Sequence, residues 1–332
     1  MALPLGRAML TFRSYIPVVA ETFPIPKLNL MGRVPPRNNT IDLSHIEVPA
    51  SMNTWPLFHN GVAAGLRASL SASKVIDSTW IVYNRPKSSA SLTNDASNEH
   101  AGFLLALGLN GHLARLSTMN IHDYLCKGSE LTRVAVLLGI AAAKRGTMDV
   151  SAVKVLSIHV EALLPPTSTE LDVPPIVQVA AVMGIGLVYQ GTGQHHISEV
   201  LLGEIGRPPG PEMEHYIDRE SYALAAGLAF GLVTLGKGND MIGLVSSSEG
   251  MSMADQLCHY MLGGHKRPLT SSQREKYKTP SYQIREGDCI NADVTSPGAT
   301  LALGMMFFNT NNGAVAKWVE APDTQRLLEM VR

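Results

Sequence analysis

The sequence predicts an all-α fold, an α-solenoid or toroid of helix-pair repeats that carries small β-hairpin-like inserts. Apolar segments rich in Gly and Ala recur along its 332 residues, and most of them end in a polar turn. The turn glycines Gly146, Gly191 and Gly236 lie 45 residues apart, a period typical of stacked helical units. Aromatic residues make up only 6% of the chain, so the core has to be closed by helices whose backbones approach closely.

Composition narrows the possible functions. The net charge of −1 argues against a general nucleic-acid surface or an anionic-membrane surface, so we expect neither nucleic acid nor membrane as a partner. The cysteines Cys126, Cys258 and Cys289 form no CxxC pair, which argues against a disulfide framework or zinc site and favours a reducing compartment. The most membrane-like run, residues 223–236, is shorter than the roughly 20 residues that a membrane span needs, and it predicts a buried core helix.

The chain divides into an arm and a repeat array. Residues 1–50 contain seven prolines, which interrupt both helices and central strands, so they predict an extended linker or strand-like arm. Residues 51–332 predict about six repeat copies, truncated at the C-terminus. A polar insert at residues 265–294 interrupts this array, and its second half alternates like a hairpin. A strand-like stretch at residues 79–84 follows the first segment.

The Gly- and Ala-rich segments predict inner helices that touch their neighbours. Each segment carries two small residues four positions apart, which places them on one helix face. Small side chains let a neighbouring backbone approach, and this packing offsets the roughly 1 kcal/mol that Gly costs in mid-helix. The segments are residues 59–66, 100–111, 133–146, 177–193, 222–238 and 298–312. The small pairs are Gly61 and Gly65, Gly102 and Ala106, Ala135 and Gly139, Ala180 and Gly184, Gly227 and Gly231, and Gly298 and Ala302, although Gly186 competes with Gly184 as the contact residue of its copy.

More amphipathic outer helices lie between the inner ones. They are predicted at residues 120–128, 150–164, 196–206 and 253–264. The repeat unit is therefore an outer helix, a loop, an inner helix and a polar turn. A further helix begins after Pro322, directly before the end of the sequence, so we expect the chain to be a fragment of a longer array.

The inner-helix cores GATLALGM, AGFLLALGLNG and AAGLAFGLVTLGKG resemble the proteasome/cyclosome repeat. That repeat is shared by two large non-ATPase subunits of the proteasome base and the largest subunit of the anaphase-promoting complex. Longer strings, among them NGHLARLSTMNIHDYLCKG, VQVAAVMGIGLVYQGTG and TPSYQIREGDCINADVTSPGATLALGM, resemble the anaphase-promoting complex subunit family. The resemblance runs from about residue 25 to the end of the sequence.

The resemblance implies a function as well as a fold. It implies a closed or nearly closed helical ring and a non-catalytic scaffold role in a ubiquitin ligase that controls mitosis, in the nucleus and cytoplasm. The implied partners are the other complex subunits, with the coactivator and the DOC-domain subunit on the substrate-recognition side. The proteasome relatives imply an alternative, a module that binds peptides or ubiquitin-like domains. An upstream β-propeller and further repeats are also expected in this family.

The sequence contains no complete motif for phosphate binding, metal binding or nucleophilic catalysis among those considered. In GIGLVYQGTG, residues 184–193, Tyr189 stands where GxGxxG requires its last Gly, so helix packing is favoured over a phosphate loop. No HExxH or GxSxG motif occurs, which leaves the histidines and serines without a predicted catalytic role. His195 and His196 are adjacent and point about 100° apart on a helix. His45, His59, His100 and His112 are expected at the surface or at helix ends.

The charged residues predict solvated surfaces rather than an acid/base pair. Glu199 and Glu204 are expected on the polar side of one short helix. Two further groups could dock a partner, but solvated loops are favoured for both. The acidic group comprises Glu212, Glu214, Asp218 and Glu220, and the basic group comprises Lys266, Arg267, Arg274, Lys276 and Lys278. Thr279 and Ser296, each before a proline, are minimal phosphorylation sites. We predict no catalytic, cofactor-binding or metal-binding residues, no cofactor and no small-molecule substrate.

Overall fold

The computed structural model describes the greater part of the chain and is mainly helical. The described residues are 15–19, 21–28, 31–42, 45, 49–86, 94–165, 172–210, 213, 216–241, 250–267, 289–319 and 324–331. They form two compact units. Unit 1 comprises residues 1–145 and 149–156, and unit 2 comprises residues 146–148 and 157–332. The predicted division at residue 50 stays a prediction.

The helices follow the predicted alternation of inner and outer elements. The inner helices are α1 (Ala50–Gly65), α3 (Asn94–Leu109), α5 (Glu130–Ala143), α7 (Pro175–Val188), α9 (Tyr216–Val233) and α12 (Ala292–Met306). The outer or connecting helices are α2 (Ser78–Tyr83), α4 (Thr118–Lys127), α6 (Val150–Ser157), α8 (His195–Ile205), α10 (Gly238–Met241), α11 (Met253–Leu262), α13 (Gly313–Val319) and α14 (Thr324–Val331). All six predicted inner segments are confirmed as helices.

In unit 1, the inner helix α3 packs between α1 and α5. Its buried side chains include Phe103, Leu104 and Leu107, which are at most 1% exposed. The outer helix α4 packs on α5. Serine side chains accept backbone N–H groups at the starts of these two helices, because the first turn of a helix leaves donors unpaired: Ser117 caps α4 and Ser129 caps α5.

In unit 2, the inner helix α9 packs between α7 and α12, while α8 packs on α9 and α11 packs on α12. Pro174 and Pro175 precede and open α7, a position where the missing N–H of proline costs nothing. The membrane-like run falls in α9, whose residues Phe230 and Val233 are fully buried. Among the described residues, no helix is both long and apolar enough to cross a membrane.

The strand-like stretch predicted at residues 79–84 is helical up to Tyr83, where α2 ends, so that prediction was wrong. The Asp77 side chain accepts the Trp80 N–H at 2.7 Å and starts α2. Trp80 and Ile81 are neighbours in sequence and both are buried, an arrangement that the alternation of a half-exposed strand does not allow. The helical conformation allows both side chains to be buried.

Two further predictions need correction or lie outside the described residues. The outer helix predicted over residues 150–164 ends at Ser157, because buried Val160 takes an extended conformation before a short 3-10 turn at Glu161–Leu163. The arm contains a hairpin, in which β1 (Gly32–Val34) pairs antiparallel with β2 (Asn39–Ile41). Most of the predicted insert hairpin, residues 268–288, lies outside the described residues.

Candidate functional site

The small residues of the inner helices form direct backbone contacts. A methyl group added to Gly102 would lie 1.8 Å from the carbonyl oxygen of Phe58 in α1. The contact is reciprocal, since a methyl group on Gly61 would lie 1.9 Å from the carbonyl oxygen of Glu99 in α3. Carbon cannot occupy those positions, so both must be glycine for α1 and α3 to pack as they do.

The same contact recurs along the chain. A methyl group on Gly108 would lie 2.2 Å from the Cα atom of Gly139, which joins α3 to α5. In unit 2, a methyl group on Gly186 would lie 2.5 Å from the Cα atom of Ala229. Gly186 of α7 therefore approaches the backbone of α9, an assignment that the sequence left open between Gly184 and Gly186. Gly227 meets the backbone of Gly298 in the same manner.

The evenly spaced turn glycines donate hydrogen bonds to inner helices of unit 2. The N–H groups of Gly146, Gly191 and Gly236 donate to Leu187, Leu232 and Met305 at 2.9, 2.8 and 3.0 Å. All three acceptors are carbonyl groups in the last turn of an inner helix, where the helix itself provides no donor. The three glycines share a left-handed φ of +68°, +69° and +68°. The spacing seen in the sequence therefore reflects one repeated turn.

In two of these turns a second left-handed residue follows two positions later. Met148 has φ +53° and Gly193 has φ +64°. Their N–H groups donate to the carbonyl groups of Val188 and Val233 at 3.1 and 2.9 Å. The next residue caps the following outer helix, as Asp149 does for α6 and Gln194 for α8. Each of these two turns therefore bonds to an inner helix and caps an outer helix.

Unit 2 contains a buried ion-pair cluster that the sequence analysis missed. The Arg207 guanidinium lies 3.3 Å from a Glu161 carboxylate oxygen and 3.8 Å from one of Glu204. Its Nη1 group donates to Gln178 Oε1 at 3.4 Å, and the Tyr222 hydroxyl donates to the Glu204 carboxylate. Arg207 and Glu204 are each 7% exposed. The cluster connects α7, α8, α9 and the 3-10 turn at Glu161–Leu163.

The expectation that Glu204 lies on the polar side of its helix was therefore wrong. Glu204 stands seven residues after buried Ile197 and three after buried Leu201, so it belongs to the apolar face of α8. The spacing of these residues in the sequence could therefore have predicted that Glu204 is buried. Burial raises the pKa of the Tyr222 hydroxyl well above its ordinary value, and the neighbouring Glu204 carboxylate adds to the shift. Tyr222 therefore remains a neutral hydrogen-bond donor.

Unit 1 contains a second polar cluster. His100 Nε2 lies 3.2 Å from the Tyr124 hydroxyl in a buried contact. The Arg85 guanidinium stacks 4.9 Å from the centre of the Tyr124 ring and also pairs with Asp123. Burial, together with the Arg85 charge, lowers the pKa of His100 to about 3. Burial raises the pKa of Tyr124 to about 12. Both groups are neutral at physiological pH.

His100 and Arg267 depart from the positions expected for them, whereas His112 lies at a helix end as expected, at the start of the 3-10 turn His112–Arg115, but is buried. His100 is 5% exposed inside α3, and His112 is 2% exposed because its ring contacts the Ser69 carbonyl at 3.1 Å. Arg267, expected in a solvated basic loop, is 6% exposed. In each case packing against neighbouring elements, which sequence does not encode locally, removes the side chain from solvent.

The other predicted positions are divided between exposed, half-buried and undescribed residues. His195 and Glu199 are both half-buried and lie 3.5 Å apart, one turn along α8. Lys266 and Glu220 are exposed, and Asp218 is half-buried. Of the phosphorylation group, Ser296 is half-buried in α12. The remaining members of the acidic, basic and phosphorylation groups lie outside the described residues, and they are Glu212, Glu214, Arg274, Lys276, Lys278 and Thr279.

The contacts in both units serve packing. In unit 2 the buried Arg207 and Glu204 side chains contact each other, and in unit 1 the buried His100 and Tyr124 rings contact each other. Within the described part of the chain, no group of three or more His, Cys, Asp or Glu side chains is placed to hold a metal ion. These contacts hold the helices of each unit against one another.

Models of two consecutive domains of one family cover this chain. The model described as the APC1 fifth domain matches residues 150–332, and the APC1 fourth domain matches residues 1–145. The chain belongs to the anaphase-promoting complex subunit 1 family. The boundary between the two domain models falls close to the boundary between the two compact units.

Relatives across animals and fungi align with the whole chain. Anaphase-promoting complex subunit 1 from Homo sapiens is 60% identical over 334 residues, which cover all of this chain and 17% of the human protein. The Schizosaccharomyces pombe subunit 1 is 34% identical over 332 residues, or 20% of its length. A protein named "Negative regulator of mitosis" from Emericella nidulans is 36% identical over 335 residues, or 15% of its length. The chain therefore corresponds to a fragment of these longer family members.

Proposed function

We propose that this chain is part of a non-catalytic scaffold of the anaphase-promoting complex ubiquitin ligase, where it supports assembly and the substrate-recognition subunits during mitosis. The repeated backbone contacts are the observation that carries the proposal. Glycines at Gly61, Gly102, Gly108, Gly186 and Gly227 each meet a neighbouring backbone, so the inner helices are closely packed within each unit. Close packing is what a positioning role requires.

The interior positions of the polar side chains support the same function. Arg207 and Glu204 lie in the interior of unit 2 and bind other side chains of the chain. The His100 ring is buried in unit 1 and contacts Tyr124. An acid/base catalyst needs a group that reaches a substrate, and these groups face the protein interior. Protein surfaces are therefore the ligands we assign to this chain.

The proposed partners are the other subunits of the complex, including the coactivator and the DOC-domain subunit, and the proposed location is the nucleus and cytoplasm. Family membership supports this assignment, because relatives from human to yeast bear the name anaphase-promoting complex subunit 1. The ubiquitin transfer itself is assigned to other subunits.

A chimera tests the proposal. In human cells depleted of endogenous subunit 1, the aligned 334 residues of the human protein are replaced by this chain. We expect the chimera to copurify with the other subunits in normal stoichiometry and to restore mitotic exit. The isolated chain, supplied with ubiquitin, activating enzyme and conjugating enzyme, should transfer no ubiquitin. Exclusion of a folded chimera from the complex would contradict the scaffold role, and transfer by the isolated chain would contradict its non-catalytic nature.

A further inference from the structure

Two stretches of the arm, residues 15–18 and 22–26, lie against unit 1 with one side only. From residue 15 to 18 the odd-numbered positions are buried or half-buried and the even-numbered positions are exposed, and the same holds from residue 22 to 26. An alternation with a period of two is that of an extended chain with one side on a surface. A turn, in which the Glu21 N–H donates to the Val18 carbonyl at 3.4 Å, joins the two stretches.

The first stretch is held by its backbone. The Tyr15 N–H donates to the Arg67 carbonyl at 2.7 Å, and the Tyr15 carbonyl accepts the Ser69 N–H at 2.8 Å. The two hydrogen bonds form a parallel bridge to the segment that follows α1. Main-chain pairing of this kind is a common mode of peptide recognition, because it binds an extended segment without reading its side chains.

The second stretch is held by two asparagine side chains. The Phe23 N–H donates to Asn84 Oδ1 at 2.6 Å, and the Asn84 amide nitrogen donates to the Trp80 carbonyl at 2.9 Å, which orients the oxygen towards the arm. Asn60 Nδ2 of α1 donates to the Pro26 carbonyl at 2.7 Å. Both asparagines therefore contact the backbone of the arm.

The Phe23 ring anchors the arm. It is 8% exposed, and its centre lies 6.2 Å from the Trp80 ring and 5.0 Å from the Phe103 ring. The Tyr15 ring of the arm meets it edge-on at 5.3 Å. Val19, in contrast, is 69% exposed. One deeply buried ring among exposed neighbours is typical of the residue that carries most of the binding energy in an interface.

Prolines prepare the arm for this conformation. Pro17 precedes the turn, and Pro24 and Pro26 follow the anchor. Proline fixes its own φ and restricts the preceding residue to extended conformations. The free arm therefore loses less conformational freedom on binding than an ordinary segment would.

We infer that unit 1 contains a peptide-binding groove, formed by residues 67–69 with Asn60, Asn84, Trp80 and Phe103, which takes an extended, proline-flanked segment with one aromatic anchor. Residues 15–26 of the arm occupy this groove as a tethered and exchangeable ligand. The contacts that hold them are hydrogen bonds and ring packing, and none of these requires the covalent connection to α1. The connection keeps the groove occupied, because a flexible tether supplies its ligand at an effective concentration of about 1 mM. The inference does not depend on the scaffold role proposed above.

Cutting the tether tests the inference in the full chain. A recognition site for a sequence-specific protease is inserted after the exposed residue Asp42, and the purified chain is cut there. We expect the fragment of residues 1–42 to remain bound in gel filtration. An excess of a synthetic peptide of residues 15–28 should displace it while circular dichroism shows no loss of helix.

Three results of this experiment would overturn the inference. A fragment that separates as soon as the chain is cut would show that the groove has no affinity of its own. A fragment that excess peptide does not displace, or whose displacement unfolds the helices, would show that the arm is part of the folded core rather than a ligand.

Matched peptides locate the anchor, with fluorescence anisotropy of the labelled peptide as the measurement. Phe23→Ala in the peptide should weaken binding to the cut chain by roughly 30-fold or more. Val19→Ala should change binding by no more than about twofold, because that side chain is exposed. These substitutions leave the fold of the chain untouched, so equal binding of the Phe23→Ala peptide and the unchanged peptide would overturn the inference.

The groove is tested by substitutions in the chain. Asn84→Ala should weaken binding of the unchanged peptide by about 10-fold, because the Phe23 N–H loses its acceptor. Asn239→Ala is the control, since the Asn239 side chain donates to the Thr310 carbonyl in unit 2 and should not affect the groove. Unchanged affinity in a folded Asn84→Ala chain would show that the peptide does not bind where the arm lies.

Discussion

Gly102 of α3 lies so close to Phe58 of α1 that a methyl group on the glycine would stand 1.8 Å from the phenylalanine carbonyl oxygen. The obstacle is backbone, so it cannot turn away as a side chain could. The helices themselves would have to separate, and the neighbouring Gly61 contact with Glu99 would be lost with them. The same kind of backbone contact recurs between inner helices within each unit.

Gly102→Ala is therefore expected to destabilise unit 1. Alanine gains up to about 1 kcal/mol of helix propensity, but overpacking against backbone costs about 3 kcal/mol, which leaves a net loss of about 2 kcal/mol. Urea denaturation measures the change. Gly203→Ala is the control, because its methyl group meets nothing within 4 Å and should stabilise the chain by about 0.5–1 kcal/mol. Equal effects of the two substitutions would contradict the backbone contact.

The turn glycines require a left-handed backbone. Gly191, at φ +69°, donates its N–H to Leu232 at 2.8 Å. Gly191→Ala should cost about 1–2 kcal/mol in the free energy of unfolding, because alanine is strained there. Gly191→Asn should cost clearly less, since asparagine occupies the equivalent turn position at Asn309. Thermal denaturation of both variants ranks them, and the opposite ranking would argue that backbone strain does not govern this position.

The buried cluster of unit 2 predicts a large loss when one charge is removed. Glu204→Gln removes the buried carboxylate beside Arg207, which keeps its contact with the partly exposed Glu161, and should cost about 2–3 kcal/mol. Glu199→Gln on the same helix removes a partly exposed ion pair and should cost at most about 1 kcal/mol.

A double-mutant cycle checks that the two charges interact. Glu204→Gln combined with Arg207→Met should destabilise the chain by about 2 kcal/mol less than the sum of the single changes. Strict additivity, measured by urea denaturation at pH 7, would show that the ion pair contributes nothing.

The buried His100 predicts a loss of stability in mild acid. Its pKa falls from 6.5 to about 3 on folding, so below pH 6.5 the unfolded chain binds a proton that the folded chain does not. Stability that is complete above pH 6.5 is therefore lost progressively as the pH falls towards 3. Between pH 7 and pH 5 the expected loss from this group is about 2 kcal/mol.

His100→Gln should remove this part of the pH dependence. His122→Gln, at an exposed position in the next helix, is the control and should retain it. Denaturant midpoints measured at several pH values decide the question. An unchanged pH profile in the His100→Gln variant would show that the ring is not buried in its neutral form.

The sequence by itself determined the inner helices and most of the repeat unit, because both depend on residues near each other in the chain. The spacing of Gly102 and Ala106 places them on one helix face whatever packs against it. The recurrence of Gly146, Gly191 and Gly236 reports one left-handed turn, which few residues other than glycine adopt. These features also carried the family resemblance.

Only the tertiary structure decided which faces meet and which polar groups are buried. Gly186 contacts Ala229, a residue 43 positions away, and no local pattern distinguishes it from Gly184. Glu204 is tolerated on an apolar face because Arg207 and Tyr222 meet it there, and Tyr222 comes from another helix. The stretch predicted as a strand at residues 79–84 is helical because the side chains of Trp80 and Ile81 are both buried. In each case the decisive free energy comes from a partner distant in sequence, which local propensity does not contain.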